Sequence, residues 1–156
     1  MGRPHMKKIN KIVIVYSATR KTDKVLSKVK EIIELSNTEI IHSSNVNRLN
    51  SQSFKKASKA DLILVLGGDG TMIGSIRNLH TLNIPFLGIN AGTVGFLTDL
   101  SISKIEKLKD ILQGSYLKES RPVFEAYSSM QNKEIFLNEV VIHSGSVTKM
   151  LDLEIS

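Results

Sequence analysis

Short apolar runs alternating with helix-like stretches place the tightest limit on what this chain can fold into. Residues 11–16 (KIVIVY), 61–66 (DLILVL) and 85–89 (PFLGI) are apolar and of strand length. Such runs suit strands buried on both faces. Residues 38–42 (TEIIH) are a further candidate strand. Between the first two, Val25, Leu26, Val29, Ile32 and Ile33 recur at helical spacing from Asp23 to Leu35, with Asp23 near the expected N-cap. Residues 44–60 are polar and predict a loop with a short helix, and 71–80 predict another helix. A last helix is expected over 103–113, with Ile105, Leu108, Ile111 and Leu112 on one side and Gly114 as its C-cap. Strand, helix, strand, helix, strand predicts an α/β domain: an open parallel sheet with helices on both faces.

The pattern changes after about Ser115. Residues 123–128, 134–143 and 147–155 read as strands, with turns near Gln131-Asn132 and Ser144-Gly145. The expected layout is a vector-derived leader at 1–5, an α/β domain over 6–114 carrying the GGDGT loop, and the beginning of a β-rich second domain over 115–156. The run LDLEIS stops in mid-pattern at Ser156, so a truncated piece of a longer protein is expected.

Composition narrows the chemistry. There is no Cys, which excludes disulfides, thiolate zinc sites and a thiol nucleophile. No apolar run approaches the roughly 20 residues that span a bilayer, so no membrane partner and a cytoplasmic location are expected. The net charge of +6 is uneven: residues 1–60 hold 13 Lys and Arg against 4 Asp and Glu. Few aromatics accompany those cations, which favours a solvated helix face over a nucleic-acid platform. His42, His80 and His143 show no ligand spacing, so no protein-held metal is expected from them.

Seven of the ten glycines lie between positions 67 and 95. Both glycine clusters follow a predicted strand, so both map to the carboxyl edge of the sheet, where ligands of such folds bind. Gly67-Gly68-Asp69-Gly70-Thr71 suits close approach by a phosphate. It matches neither GxxxxGK[ST] nor GxGxxG. Asp69 would repel a phosphate unless it holds Mg²⁺ or accepts a proton in phosphoryl transfer. The plainer alternative is that it caps the helix over 71–80.

GGDGT after an apolar strand resembles the signature shared by NAD kinases, diacylglycerol and sphingosine kinases and, with Ser for Thr, phosphofructokinases. Residues 85–99 (PFLGINAGTVGFLTD) resemble the NAD kinase segment in particular, where lipid kinases tend to show Pro-x-Gly-Thr-x-Asn-Asp. Residues 136–143 (FLNEVVIH) resemble the Asn-Glu motif of the same family. The resemblance implies transfer of a phosphoryl group from ATP or polyphosphate to the 2′-hydroxyl of the adenosine ribose of NAD. It implies a divalent cation such as Mg²⁺ and a homodimer or homotetramer. The family's later segment resembling DGLIxSTPTGSTAY is absent from this chain.

The same resemblance makes Asp69 the expected general base. It places Gly68, Gly70 and Thr71 around the phosphates and Ile73 near the ligand. It sets Asn90 in the second loop and Phe96 against the adenosine. Asn138 would read the adenine edge and Glu139 the ribose hydroxyls. Adjacent strand residues face opposite ways, so Asn138 and Glu139 can share a ligand only at a bulge or a strand end. Each has a plain alternative: Phe96 as core, Asn90 as a left-handed turn residue, Asn138-Glu139 as a polar strand end. Met72 is expected in the core, and Arg121 is left unassigned. Competing functions are a lipid or sugar kinase sharing GGDGT, or a dinucleotide-binding module without catalysis.

Overall fold

The computed structural model describes residues 6–92, 95–127 and 133–141. It divides into two units, Met1–Ser120 and Arg121–Ser156. In the first, β1 (Lys11–Tyr16), β2 (Glu39–Asn45), β3 (Leu62–Leu66), β4 (Phe86–Asn90) and β5 (Leu100–Ser101) form one sheet. The order is β2-β1-β3-β4-β5, and every neighbouring pair is parallel. All five residues of β3 are buried. Alternation sorts them: Leu62, Leu64 and Leu66 join Ile12 and Ile14 on one face, while Ile63 and Val65 join Val13 and Val15 on the other. The first face is covered by α1 (Arg20–Leu35) and α4 (Lys107–Leu112). The second is covered by α2 (Ser51–Ala57) and α3 (Asp69–Leu79). The expected parallel sheet with helices on both faces is what the chain forms.

Several ends fall elsewhere than the pattern predicts. Helix α1 starts at Arg20, and its N-cap is Thr19, whose hydroxyl accepts from the Thr22 amide at 3.2 Å. Asp23 is therefore a first-turn residue, where a negative charge suits the helix dipole, and not the cap. Helix α3 starts at Asp69, two residues early. The helix expected over 103–113 is broken into a 3-10 turn at Ile102–Lys104 and the shorter α4. Gly114, at φ +99°, follows the C-cap Gln113 and is not itself the cap. Strand β5 was not legible, because two residues carry no periodicity.

The second unit holds β6 (Phe124–Tyr127) and β7 (Lys133–Phe136), paired antiparallel, with Phe124 and Phe136 stacked at 5.3 Å between ring centroids. The strand expected over 134–143 ends at Phe136, and residues 137–141 are not strand. Both predicted turns and the strand over 147–155 lie outside the described residues.

Asp61, just before β3, fastens the amino edge of the sheet. Its carboxylate accepts from the amides of Asn10 (3.0 Å) and Lys11 (2.9 Å) and from the Lys7 ammonium (3.3 Å). Burial alone would raise its pKa. The Lys11 and Asn10 amides and then Lys7 outweigh burial and hold it below the usual carboxylate value. The charged form is thus favoured by folding. Its stabilisation is present above the unfolded carboxyl pKa and lost as pH falls through that range. Asp61→Ala is expected to cost about 1–2 kcal/mol at pH 7. In urea melts of this chain, the gap from the parent should narrow as pH falls through and below the ordinary carboxylate range.

Candidate active site

The sheet reverses its winding between β1 and β3, since β2 lies on one side of β1 and β3, β4 and β5 on the other. Open α/β sheets bind ligands at the carboxyl end of such a switch point. The loop after β3 carries Gly67, Gly68 and Asp69 to that place, beside Ser17 from the end of β1. Gly67 donates its amide to Ile89 O (3.0 Å) and has φ +156°. A Cβ there would run into the Thr71 side chain, so the tight turn from strand to helix needs glycine.

Helix α3 has Gly68 as its N-cap, with no side-chain cap. Asp69 therefore does not cap it. Its carboxylate turns away to the segment after β4, where Oδ2 accepts from the Phe96 amide at 2.9 Å and Oδ1 from the Leu97 amide at 3.0 Å. This third task was invisible in the sequence, because the partners lie 27 and 28 residues away. Gly95 belongs to the same arrangement. Its Cα faces the carboxylate so closely that an added Cβ would stand 2.5 Å from the Asp69 carboxyl carbon. The two glycine clusters are thus brought to one edge, as expected, and joined there by Asp69.

The other expected site residues are placed as follows. Gly68 and Gly70 are exposed at the first turn of α3, and nothing crowds them within 4 Å of an added Cβ. Thr71 is buried, 8% exposed, beneath Gly67, so it shapes the loop from within. Ile73 is half-buried on α3. Met72 is core, on the second face of the sheet. Asn90, 3% exposed, ends β4; Oδ1 accepts from the Gly92 amide (2.7 Å) and Nδ2 donates to Thr98 Oγ1 (3.2 Å). Left-handed backbone among the described non-glycine residues occurs at Asn37 and Asn83, not at Asn90. Phe96 is 91% exposed, which removes the core alternative for its ring.

Asn138 and Glu139 are exposed in the second unit, just beyond the end of β7. That is the strand-end position from which neighbours can serve one ligand. Asp99, absent from the predicted site, also braces this edge: its carboxylate accepts from the Gly88 amide at 2.8 Å, and its own amide donates to Gly88 O at 2.9 Å. A Gly-Phe-Leu-Thr-Asp run after a glycine-rich turn was the available signal for both Gly95 and Asp99.

His42 is bonded through Nε2 to Ser53 Oγ (3.1 Å), and burial followed by the Lys56 charge lowers its pKa. His80 lies on Ile76 O (3.1 Å), and His143 is outside the described residues. Among the described residues no three His, Asp or Glu converge as a metal cage. Among them, too, no helix is long and apolar enough to cross a membrane.

Residues 9–116 match the model of the ATP-NAD kinase N-terminal domain. The chain is 42% identical over 102 residues to the NAD kinase of Salmonella dublin, covering 62% of this chain and 35% of that protein. It is 44% identical over 100 residues to the NAD kinase of Pseudomonas entomophila, covering 61% and 34%. The match thus takes in about a third of the length of these curated relatives.

Proposed function

This chain belongs to the NAD kinase family, and from that premise we propose that it supplies the N-terminal part of an enzyme that phosphorylates the adenosine 2′-hydroxyl of NAD at the expense of ATP or polyphosphate. The observation that carries the proposal is Asp69, a carboxylate held by two amides at the first residue of α3, on the edge where both glycine loops meet. An alcohol is a poor nucleophile near pH 7, and a fixed carboxylate can take its proton as the bond to phosphorus forms. A carboxylate offers about four lone-pair sites, and the amides of Phe96 and Leu97 use one on each oxygen. The remainder can face the hydroxyl.

The exposed first turn of α3, at Gly68 and Gly70, presents the positive end of its dipole to phosphate oxygens. The exposed Phe96 ring is a stacking surface for a base. Asn138, whose carboxamide offers donor and acceptor together, suits an adenine edge, and Glu139 can accept from ribose hydroxyls. A lone site carboxylate fits a divalent ion that arrives on the donor's phosphates, as Mg²⁺ commonly does. When bound, such an ion would neutralise charge on the transferred group. We assign the enzyme to the cytoplasm, with residues 115–156 opening a β-rich second domain and the whole protein assembling as a homodimer or homotetramer.

The test is formation of NADP from NAD, ATP and Mg²⁺ by the full-length protein and by this chain. NADP is expected from the full-length protein. If it makes none, yet phosphorylates a lipid or a sugar or only binds NAD, the proposal falls.

A further inference from the structure

The segment after β4 leaves the strand at Ala91 and comes back to it at Thr98, and it is tied to β4 at two places. At the first, Gly88 and Asp99 exchange bonds: the Gly88 amide donates to the Asp99 carboxylate and the Asp99 amide to Gly88 O. An added Cβ at Gly88 would stand 2.9 Å from Thr98 Cα and 3.1 Å from Thr98 Cγ2, so glycine lets the returning limb lie against the strand. The second tie is Asn90, two residues further along β4 and on the same face. Its Oδ1 accepts from the Gly92 amide at 2.7 Å on the outgoing limb. Its Nδ2 donates to Thr98 Oγ1 at 3.2 Å on the returning limb. A carboxamide can span both limbs because it presents an acceptor and a donor at once.

Thr98 is thus fixed by its backbone and by its side chain. The two residues before it are Phe96 and Leu97, whose amides hold the Asp69 carboxylate at 2.9 and 3.0 Å. The pin at Thr98 therefore acts one peptide away from the clasp. Asn90 is 3% exposed, which leaves almost none of its surface for a ligand.

We propose that Asn90 and Thr98 are positioning residues, an inference that rests on the phosphoryl transfer proposed above. Their side-chain bond sets where the Phe96 and Leu97 amides stand, and through them where the Asp69 carboxylate meets the hydroxyl whose proton it takes. Asn90 acts through the loop and does not touch substrate. A displacement of about 1 Å at a reacting group costs on the order of 10²-fold in rate. A pair at a loop base, with Thr98 half-buried, bears on that position more than on the stability of the sheet.

The experiment is kinetics on variants of the full-length protein, beside amide hydrogen exchange in this chain. Thr98→Val keeps the shape of the side chain and removes its hydroxyl. It should lower kcat for NADP formation by about fivefold to tenfold, the scale of one hydrogen bond, and leave KM for ATP unchanged, since the first turn of α3 is untouched. Thr98→Ser keeps the hydroxyl and should recover most of that loss. Asn90→Ser withdraws the carboxamide; it should cost as much as Thr98→Val, and the two together no more than either alone. In this chain, Thr98→Val should speed exchange of the Phe96 and Leu97 amides and leave those of β1 and β3 as they are. A Thr98→Val kcat within about twofold of the parent overturns the proposal, as does a Thr98→Ser protein no better than Thr98→Val. Additive losses overturn it too, because they put Asn90 on the substrate, and so does unchanged exchange at Phe96 and Leu97. A parent that forms no NADP sinks the kinase reading instead, and the exchange rates then decide by themselves whether the pair holds the Asp69 clasp.

Discussion

Asp69→Asn in the full-length protein is expected to lower kcat for NADP formation by about 10²–10⁴-fold, the usual contribution of a general base. The substitution nearly preserves shape, but a carboxamide has one acceptor oxygen where the carboxylate has two. It therefore keeps one of the two bonds now made to the Phe96 and Leu97 amides and turns an NH₂ toward the other. Leaving that amide without a partner costs on the order of 1–3 kcal/mol, less where water can reach it. Part of any loss could thus come from a loosened loop. Measuring NAD affinity beside kcat separates the two: a lost base lowers kcat and spares binding, while a displaced Phe96 surface weakens binding as well. A variant that retains a tenth or more of the parent kcat removes Asp69 from the role of base.

Gly95→Ala tests the same carboxylate from the other side. An added methyl would stand 2.5 Å from the Asp69 carboxyl carbon and 2.7 Å from Oδ2, well inside van der Waals contact. The clash is with the carboxylate itself, so the effect expected of alanine is one of space. Either the carboxylate or the segment carrying the Phe96 amide must shift by roughly 1 Å, a displacement that costs about 10²-fold in a positioned reaction. The expected result is therefore a kcat lowered by about 10²-fold in the full-length protein, with a melting temperature within a few degrees of the parent. Activity within twofold of the parent would mean that the position of the Asp69 carboxylate does not set the rate.

Much of the fold was legible because the strands are central. KIVIVY and DLILVL became β1 and β3, buried on both faces, and a continuous apolar run at strand length has few other homes. Helix α1 was legible from its stripe, but its start was not. Thr19 and Asp23 both qualify as caps by residue type, and the backbone extended at Thr19 decides between them. The carboxyl edge was legible as a place, from the two glycine clusters. Asp69 was singled out because a carboxylate among phosphate-binding glycines needs a reason. Its bonds to Phe96 and Leu97 were not legible, since no periodicity links residues across a strand, a helix and a turn. The exposure of Phe96 was not settled by the residues: the resemblance set its ring against the adenosine, and core stayed the plain alternative until the loop's path was known.

The strand order also suits a sheet that grows during synthesis. β1 pairs with β2 on one side, and then β3, β4 and β5 are laid down on the other side in the order in which they leave the ribosome. Each later strand finds its neighbour already made, so the sheet can grow as a vector instead of waiting for a distant partner. The Phe96 and Leu97 amides come after four of the five strands. The Asp69 carboxylate can therefore be clasped only once the chain has passed Leu97, when β5 alone of the sheet is still to come.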